Sequence, residues 1–143
     1  MKKALIIISI CTLFITGCIN NKQNNTKESK DIMSDIKVII NEKIYTIKLE
    51  NNKTVEEFIE LLPQEYTMNE LNGNEKYVYL DKSLTTKSYN PKHIEKGDVM
   101  LFGNNCLVIF YESFDTTYSY TKIGHIDNLD NLENGNIKVK FEK

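Results

Sequence analysis

The sequence predicts a mainly β domain, a small closed or nearly closed β-barrel of about seven to eight strands with one or two short helices. From Ile36 onward, several short segments alternate apolar with polar residues, and turns rich in Gly and Asn separate them. One segment instead has the periodicity of a helix. Because so many strands share about 108 residues, we expect closure, which removes exposed strand edges.

The domain begins with a predicted β-hairpin. Residues 36–40 and 45–49 both alternate apolar with polar residues, and the polar turn Asn41–Lys43 lies between them. Period-two apolarity on both sides of a short polar turn is typical of two paired antiparallel strands.

The next segment predicts one amphipathic helix of two to three turns. Thr54 is the expected N-cap, with Glu57 completing a capping box. Apolar residues follow at helical spacing until Pro63 ends the run: Val55, Phe58, Ile59 and Leu62. We interpret its acidic face as a solvated surface rather than a partner-binding one.

The rest of the domain is predicted as strand and turn. The predicted strands are residues 76–80, 99–102, 106–111, 117–126 and 137–141. The strand 106–111 is apolar throughout, which predicts burial on both faces. Leu129 and Leu132 predict one further short helical turn.

The N-terminal residues have the features of an export signal. Lys2 and Lys3 precede the apolar stretch 4–15, which as a helix would be roughly 18 Å long, too short for the ~30 Å core of a bilayer. The stretch ends in Ile15-Thr16-Gly17-Cys18, which resembles the lipobox of bacterial lipoproteins. The alternative is an ordinary signal peptide with a chance cysteine.

The lipobox resemblance implies cleavage before Cys18 and a diacylglycerol group on the Cys18 sulfur. Residues 1–17 would then be the signal peptide, and the polar residues 18–35 a disordered tether to the folded domain 36–143. Two acyl chains hold a protein stably on a bilayer. We therefore expect a lipid-anchored protein at the extracytoplasmic face of the cell membrane.

Composition argues against several kinds of site. The chain has no arginine, and its 18 lysines against 20 acidic residues give a net charge of −2, so we expect no nucleic-acid partner. Apart from Cys11 and Cys18, Cys106 is the only cysteine. His93, expected in a loop, and His125, expected as a surface or half-buried residue on a strand, stand alone, so we predict no metal and no cofactor.

Three segments carry a family resemblance: residues 68–77 (MNELNGNEKY), 97–111 (GDVMLFGNNCLVIFY) and 119–124 (SYTKIG). In this order and spacing they resemble the bacterial cyclophilin-like domain family, over a match from about Ile36 to the C-terminus. The resemblance implies a small β-barrel of the cyclophilin type. It implies little about function, because a fold is not an activity.

Cyclophilins proper are peptidyl-prolyl isomerases with an arginine beside an apolar proline pocket. This chain has no arginine, no tryptophan for the pocket rim and no Phe-His-Arg motif, and lysine lacks the planar fork of donors. We therefore expect a module that binds a peptide or small ligand without efficient catalysis. The alternatives are a degenerate prolyl isomerase acting on exported proteins, and a structural lipoprotein without a pocket.

The candidate ligand-binding surface combines polar turn residues with tyrosines: Asn72, Asn74, Glu75, Tyr118 and Tyr120. A tyrosine offers a flat apolar face and a hydroxyl group, which suit a peptide or small ligand. Tyrosines also serve as ordinary cross-strand pairs on a barrel, and the sequence favours that structural interpretation slightly.

No catalytic residue is predicted. The pairs Glu70/Glu75 and Asp98/Asp115 could supply an acid and a base, but nothing in their spacing shows that either pair converges. Charged loop residues are the favoured interpretation. Cys106 lies in the most apolar strand, where we expect a buried thiol with a raised pKa rather than a nucleophile.

Overall fold

The computed structural model describes residues 34–143, so the predicted signal peptide, Cys18 and nearly all of the predicted tether lie outside the described residues. The elements are β1 (Ile36–Ile40), β2 (Lys43–Leu49), α1 (Lys53–Glu60), β3 (Gln64–Leu71), β4 (Glu75–Tyr79), β5 (His93–Ile94), β6 (Asp98–Phe102), β7 (Cys106–Phe110), β8 (Phe114–Asp115), β9 (Tyr120–Ile126) and β10 (Ile137–Glu142).

Eight of these strands close into an antiparallel barrel, in the order β1-β10-β3-β4-β7-β6-β9-β2. Strands β5 and β8 pair separately as a small two-stranded sheet. Every residue of β7 is buried, as its apolar sequence predicts. The predicted mainly β fold and closed barrel are therefore confirmed.

The first hairpin forms with a tighter turn than predicted. Ile40 pairs directly with Lys43, so Asn41 and Glu42 alone connect β1 to β2. Both have positive φ angles, 46° and 68°. Two consecutive left-handed residues match the right-handed twist of the flanking strands, which is the usual geometry of a two-residue hairpin turn.

Helix α1 is present, but its predicted capping box is wrong. The N-cap is Asn52, whose side-chain Oδ1 accepts a hydrogen bond from the Val55 backbone N–H at 3.0 Å. Asn52 lies earlier in the chain and caps as well as threonine does. Thr54 instead donates to the Thr85 carbonyl oxygen at 2.6 Å, and Glu57 accepts from the Thr85 backbone N–H at 2.6 Å. These two residues thus connect the helix to the loop after β4.

The apolar face of α1 packs on the barrel core. Val55 and Phe58 are fully buried, and the Phe58 ring lies edge-on to Phe141 of β10 at 5.5 Å. Within the barrel, side chains from alternate positions of the strands form one continuous core that also includes Leu62 and Leu84.

The predicted helical turn at Leu129 and Leu132 is wrong. Residues 129–133 have no regular structure. Asn128 and Gly135 have left-handed φ angles of 55° and 91°, which interrupt a helix on both sides. Leu129 is buried and Leu132 packs against the core, so both leucines anchor an irregular connection. His93 also differs from prediction, since it lies in β5 rather than in a loop.

Candidate functional site

A groove lies on the outer face of strands β4, β7, β6 and β9. The strand pairing places Tyr79, Cys106, Phe102 and Tyr120 in one row across the four strands. Cys106, a small residue on β7, therefore lies between large aromatic residues on the two neighbouring strands. Val108, two residues further along β7, lies beside Tyr77 in the same way, and Cys106 and Val108 form the floor of a groove. The resulting cavity has a volume of about 310 Å³, and we call it the aromatic groove.

The two walls of the aromatic groove are pairs of aromatic rings. On β4, the rings of Tyr77 and Tyr79 meet at 5.9 Å and 79°. On the opposite wall, Phe102 lies 6.0 Å from Tyr118 and 5.6 Å from Tyr120. Tyr79 and Tyr118 are each 64% exposed and Phe102 is 45% exposed. Contiguous exposed apolar residues of this kind are a feature typical of interaction sites.

One end of the groove is polar and contains Leu71, Asn72 and Glu75. Glu75 is half-buried, and it is the one charged residue among the described residues that line the groove. Desolvation raises the pKa of the Glu75 carboxyl group, and the nearby Glu70 carboxylate raises it further. The groove therefore holds a carboxylate in an unfavourable environment.

The Cys106 thiol on the floor is buried, as predicted. Burial raises its pKa, and the Glu75 carboxylate adds to this effect. Since the thiolate is the nucleophilic form, both influences work against nucleophilic chemistry. Burial, and then Glu75, also raise the pKa of the Tyr120 hydroxyl group.

Four of the five predicted surface residues come together in the groove: Asn72, Glu75, Tyr118 and Tyr120. Asn74 is not among the lining residues; its backbone N–H donates to the Leu71 carbonyl and its carbonyl accepts from Tyr111, so it shapes the turn between β3 and β4. Whether the four bind a ligand stays a prediction. The prediction missed Leu71, Tyr77, Tyr79, Phe102, Cys106 and Val108 as lining residues. The alternation of Glu75, Tyr77 and Tyr79 along β4 could have indicated three residues on one face.

The carboxylates of Glu70 and Glu75, considered above as a possible acid and base, do not share a site. The Glu70 carboxylate binds the Lys76 ammonium group and accepts a hydrogen bond from the Tyr111 hydroxyl at 2.6 Å. Burial raises the pKa of Glu70, but the hydrogen bonds from Lys76 and Tyr111 outweigh it and leave the pKa lowered. Burial and the Glu70 contact together raise the pKa of Tyr111 to about 12.

Asp98 and Asp115, the second pair of carboxylates considered above, also lie apart and contact different residues. Asp98 is buried and contacts the Nδ1 atom of His125 at 3.0 Å and the Lys122 ammonium group at 3.3 Å. Asp115 is exposed and contacts Nδ1 of His93 at 2.6 Å, which raises the pKa of His93. Each carboxylate thus contacts a different histidine, Asp98 contacting His125 and Asp115 contacting His93. His125 is half-buried on its strand, in agreement with the prediction.

A second depression, of about 420 Å³, lies on the outer face of β1, β3 and β10. Its charged lining residues, Glu42, Glu65, Lys138 and Lys140, have mixed signs, and it has no aromatic residue. Interspersed opposite charges without aromatic side chains are typical of a solvated surface. The aromatic groove is therefore the better candidate site.

Two further observations concern the part of the chain that the structure describes. Between residues 34 and 143, no three His, Cys, Asp or Glu side chains are grouped as metal ligands would be. Over the same residues, no helix has both the length and the apolar character needed to cross a bilayer.

Comparison with known proteins gives one match. A scan against protein-family models matches residues 38–142 to the model of the cyclophilin-like family. Searches of curated proteins and of solved structures returned no match. The matched residues include nearly all of the closed barrel and the whole aromatic groove. The chain therefore belongs to the cyclophilin-like family.

Proposed function

We propose that the protein is a membrane-anchored extracytoplasmic lipoprotein whose cyclophilin-like domain binds a peptide or small ligand in the aromatic groove without efficient catalysis. The observation that carries the binding role is the cluster of exposed aromatic side chains around a small-residue floor. Binding sites for small ligands are concave, lined mainly by apolar and aromatic residues, and carry a few polar groups. The aromatic groove has each of these features.

The anchoring role is supported by the sequence before the domain. A charged start, a short apolar stretch and the lipobox-like end at Cys18 precede a polar tether. A lipid on Cys18 would keep the domain at the membrane surface while the tether leaves the groove accessible to water.

Replacing Cys18 with serine should abolish incorporation of labelled palmitate and release the protein from the membrane fraction, because a hydroxyl group cannot form the thioether. The measurement is labelling of bacterial cells that express the full chain, followed by fractionation. Cys11→Ser is the matched control, since it changes a cysteine inside the predicted signal, and it should keep both label and membrane association. If the Cys18→Ser protein keeps both, the anchor is not at this residue.

The groove is tested by a screen of small molecules and short peptides by NMR. Ligands should shift the resonances of the groove residues, and the double variant Tyr79→Ala/Tyr118→Ala should weaken binding at least about tenfold, because exposed aromatic anchors supply most of the contact energy. Ile44→Ala is the control: Ile44 is an exposed apolar residue, 65% accessible, that does not line the groove. Unchanged affinity in the double variant would remove the groove from the proposal.

The second candidate is a degenerate peptidyl-prolyl isomerase acting on exported proteins, since cyclophilins proper carry out that reaction and this domain is cyclophilin-like. A protease-free assay of Xaa-Pro isomerisation distinguishes it. We expect the rate to stay at background, because the chain has no arginine to donate hydrogen bonds around the twisting amide. A rate clearly above background that the Tyr79→Ala/Tyr118→Ala variant loses would establish the isomerase instead.

A further inference from the structure

The charge distribution in the aromatic groove indicates what kind of ligand it accepts. Among the residues that line it, Glu75 is the one charged group, and the lining contains no lysine. The Glu75 side chain makes no ion pair or hydrogen bond with any other residue between 34 and 143 that the structure describes. The groove therefore offers one unneutralised carboxylate within an aromatic lining.

The neighbouring lysine cannot neutralise Glu75. Lys76 follows it on β4, so the two side chains point to opposite faces of the strand. The Lys76 ammonium group is buried and bound by the Glu70 carboxylate and by the carbonyl oxygens of Glu133 and Gly135, at 2.6 Å and 2.8 Å. The Lys76 ammonium group is thus paired on the inner side of the barrel and does not face Glu75 on the outer side.

A negatively charged ligand is unfavourable in this groove. A carboxylate or phosphate group would meet the Glu75 carboxylate directly. The described lining has no cation to offset this repulsion. A partly desolvated carboxylate without a partner is unfavourable, and a ligand of opposite charge would relieve that cost.

The aromatic walls favour the same ligand charge. The face of an aromatic ring carries a negative partial charge and attracts an ammonium group within about 6 Å of its centre. Tyr77 and Tyr79 form one wall and Phe102, Tyr118 and Tyr120 form the other, so an ammonium group between them meets rings on both sides. The aromatic rings and the Glu75 carboxylate together are therefore complementary to a ligand that combines a positive charge with an apolar surface.

We infer that the aromatic groove selects a small organic cation, a primary or quaternary ammonium group carried on an apolar body, with Glu75 as its charge partner. This inference rests on the proposed binding function and adds the class of ligand. The volume of about 310 Å³ is at the low end of small-molecule sites, which span roughly 300–1,000 Å³. A site of this size accommodates a small molecule of that kind, and we assign a free small molecule as the occupant.

The test compares two probes of the same shape, choline and its neutral isostere 3,3-dimethylbutan-1-ol, by NMR titration of the full chain in detergent. Choline should shift groove resonances and bind about tenfold more tightly than the isostere. Glu75→Gln should reduce choline affinity by about the same factor and leave the isostere unaffected, because it removes charge without changing shape. Glu60→Gln, on the exposed face of α1, is the matched control and should leave both affinities unchanged.

Thermal unfolding keeps the Glu75→Gln result interpretable. The variant should melt at the same temperature or higher, since it removes an unpaired carboxylate and breaks no side-chain hydrogen bond or ion pair with a described residue. An equal loss of affinity for both probes in a variant that melts lower would show a structural role for Glu75 and overturn the inference.

The outcomes separate the inference from the proposed function. Equal affinity for choline and the isostere, lost in Tyr79→Ala/Tyr118→Ala, would overturn cation selectivity and leave the groove as a binding site. Tighter binding of an acetylated Gly-Lys-Gly amide than of choline would overturn the assignment to a free small molecule. If neither probe shifts the groove resonances, the inference is wrong, and the proposed function fails as well only if the library screen finds no groove ligand.

Discussion

Replacing Lys76 with methionine should lower the free energy of unfolding by about 3–5 kcal/mol, the usual effect of removing one partner from a buried ion pair. The Lys76 side chain is fully buried, contacts Glu70 and two backbone carbonyl oxygens, and lies 4.9 Å from the centre of the Tyr111 ring. Methionine fills similar space but cannot donate hydrogen bonds. The Glu70 carboxylate, whose pKa is lowered and which is therefore ionised at neutral pH, would lose its cation.

Denaturant unfolding followed by circular dichroism measures this effect. Lys43→Met is the control, because Lys43 is 68% exposed and its ion pair with Asp130 is accessible to water, so its unfolding midpoint should change little. The double variant Glu70→Gln/Lys76→Met should recover part of the loss, since no isolated charge remains. A Lys76→Met protein that unfolds at the same midpoint as Lys43→Met would show that this buried pair contributes nothing.

Gly97→Ala should destabilise the barrel by about 3 kcal/mol or more, because it combines left-handed strain with a backbone clash. Gly97 has a φ of 98°, and an added Cβ would overlap the Ile126 carbonyl oxygen. The backbone cannot move away easily. The Gly97 N–H donates to the Phe110 carbonyl, and the Gly97 carbonyl accepts from the Ile126 N–H, both at 2.8 Å, which joins the start of β6 to β7 and β9.

Gly103→Ala isolates the effect of the clash. Gly103 also has a left-handed φ, 60°, but an added Cβ there meets nothing within 4 Å. The Gly103→Ala substitution should therefore lower the free energy of unfolding by only about 1 kcal/mol, from backbone strain alone. Comparable midpoints for the two variants in denaturant unfolding would contradict the role given to the close approach at Gly97.

Much of the fold could be predicted because most of the barrel strands have a visible pattern. Apolar alternation and turns rich in Gly and Asn predicted β1, β2, β4, β6, β7, β9 and β10. Strand β3 was not predicted explicitly, because Met68 is its one fully buried residue and its other side chains are mostly polar. Its place in the sheet depends on pairing with β4, which follows it in the chain, and with β10, which is distant in sequence.

The candidate site was less predictable than the fold. Tyr118 and Tyr120 were chosen for their chemistry, yet the opposite wall, Tyr77 and Tyr79, becomes part of the site only through the pairing of β4 with β7. A small residue such as Cys106 forms a floor only when its cross-strand neighbours are large. The register between strands that are distant in the chain, such as β4 and β7, depends on tertiary contacts that no local sequence pattern reveals. The lipid anchor at Cys18 stays a prediction.

The segment after β4, residues 80–85, is held in place on both sides by hydrogen bonds. Leu80 and Leu84 donate backbone hydrogen bonds to the carbonyl oxygens of Asn105 and Asn104, both at 2.7 Å, and Thr85 is bound by α1. The chain leaving the Tyr79 wall is thus immobilised against the turn at the opposite wall. This wall of the groove is thus held in place before binding, so association with the proposed ligand should require little ordering entropy there and should be free of a slow conformational phase.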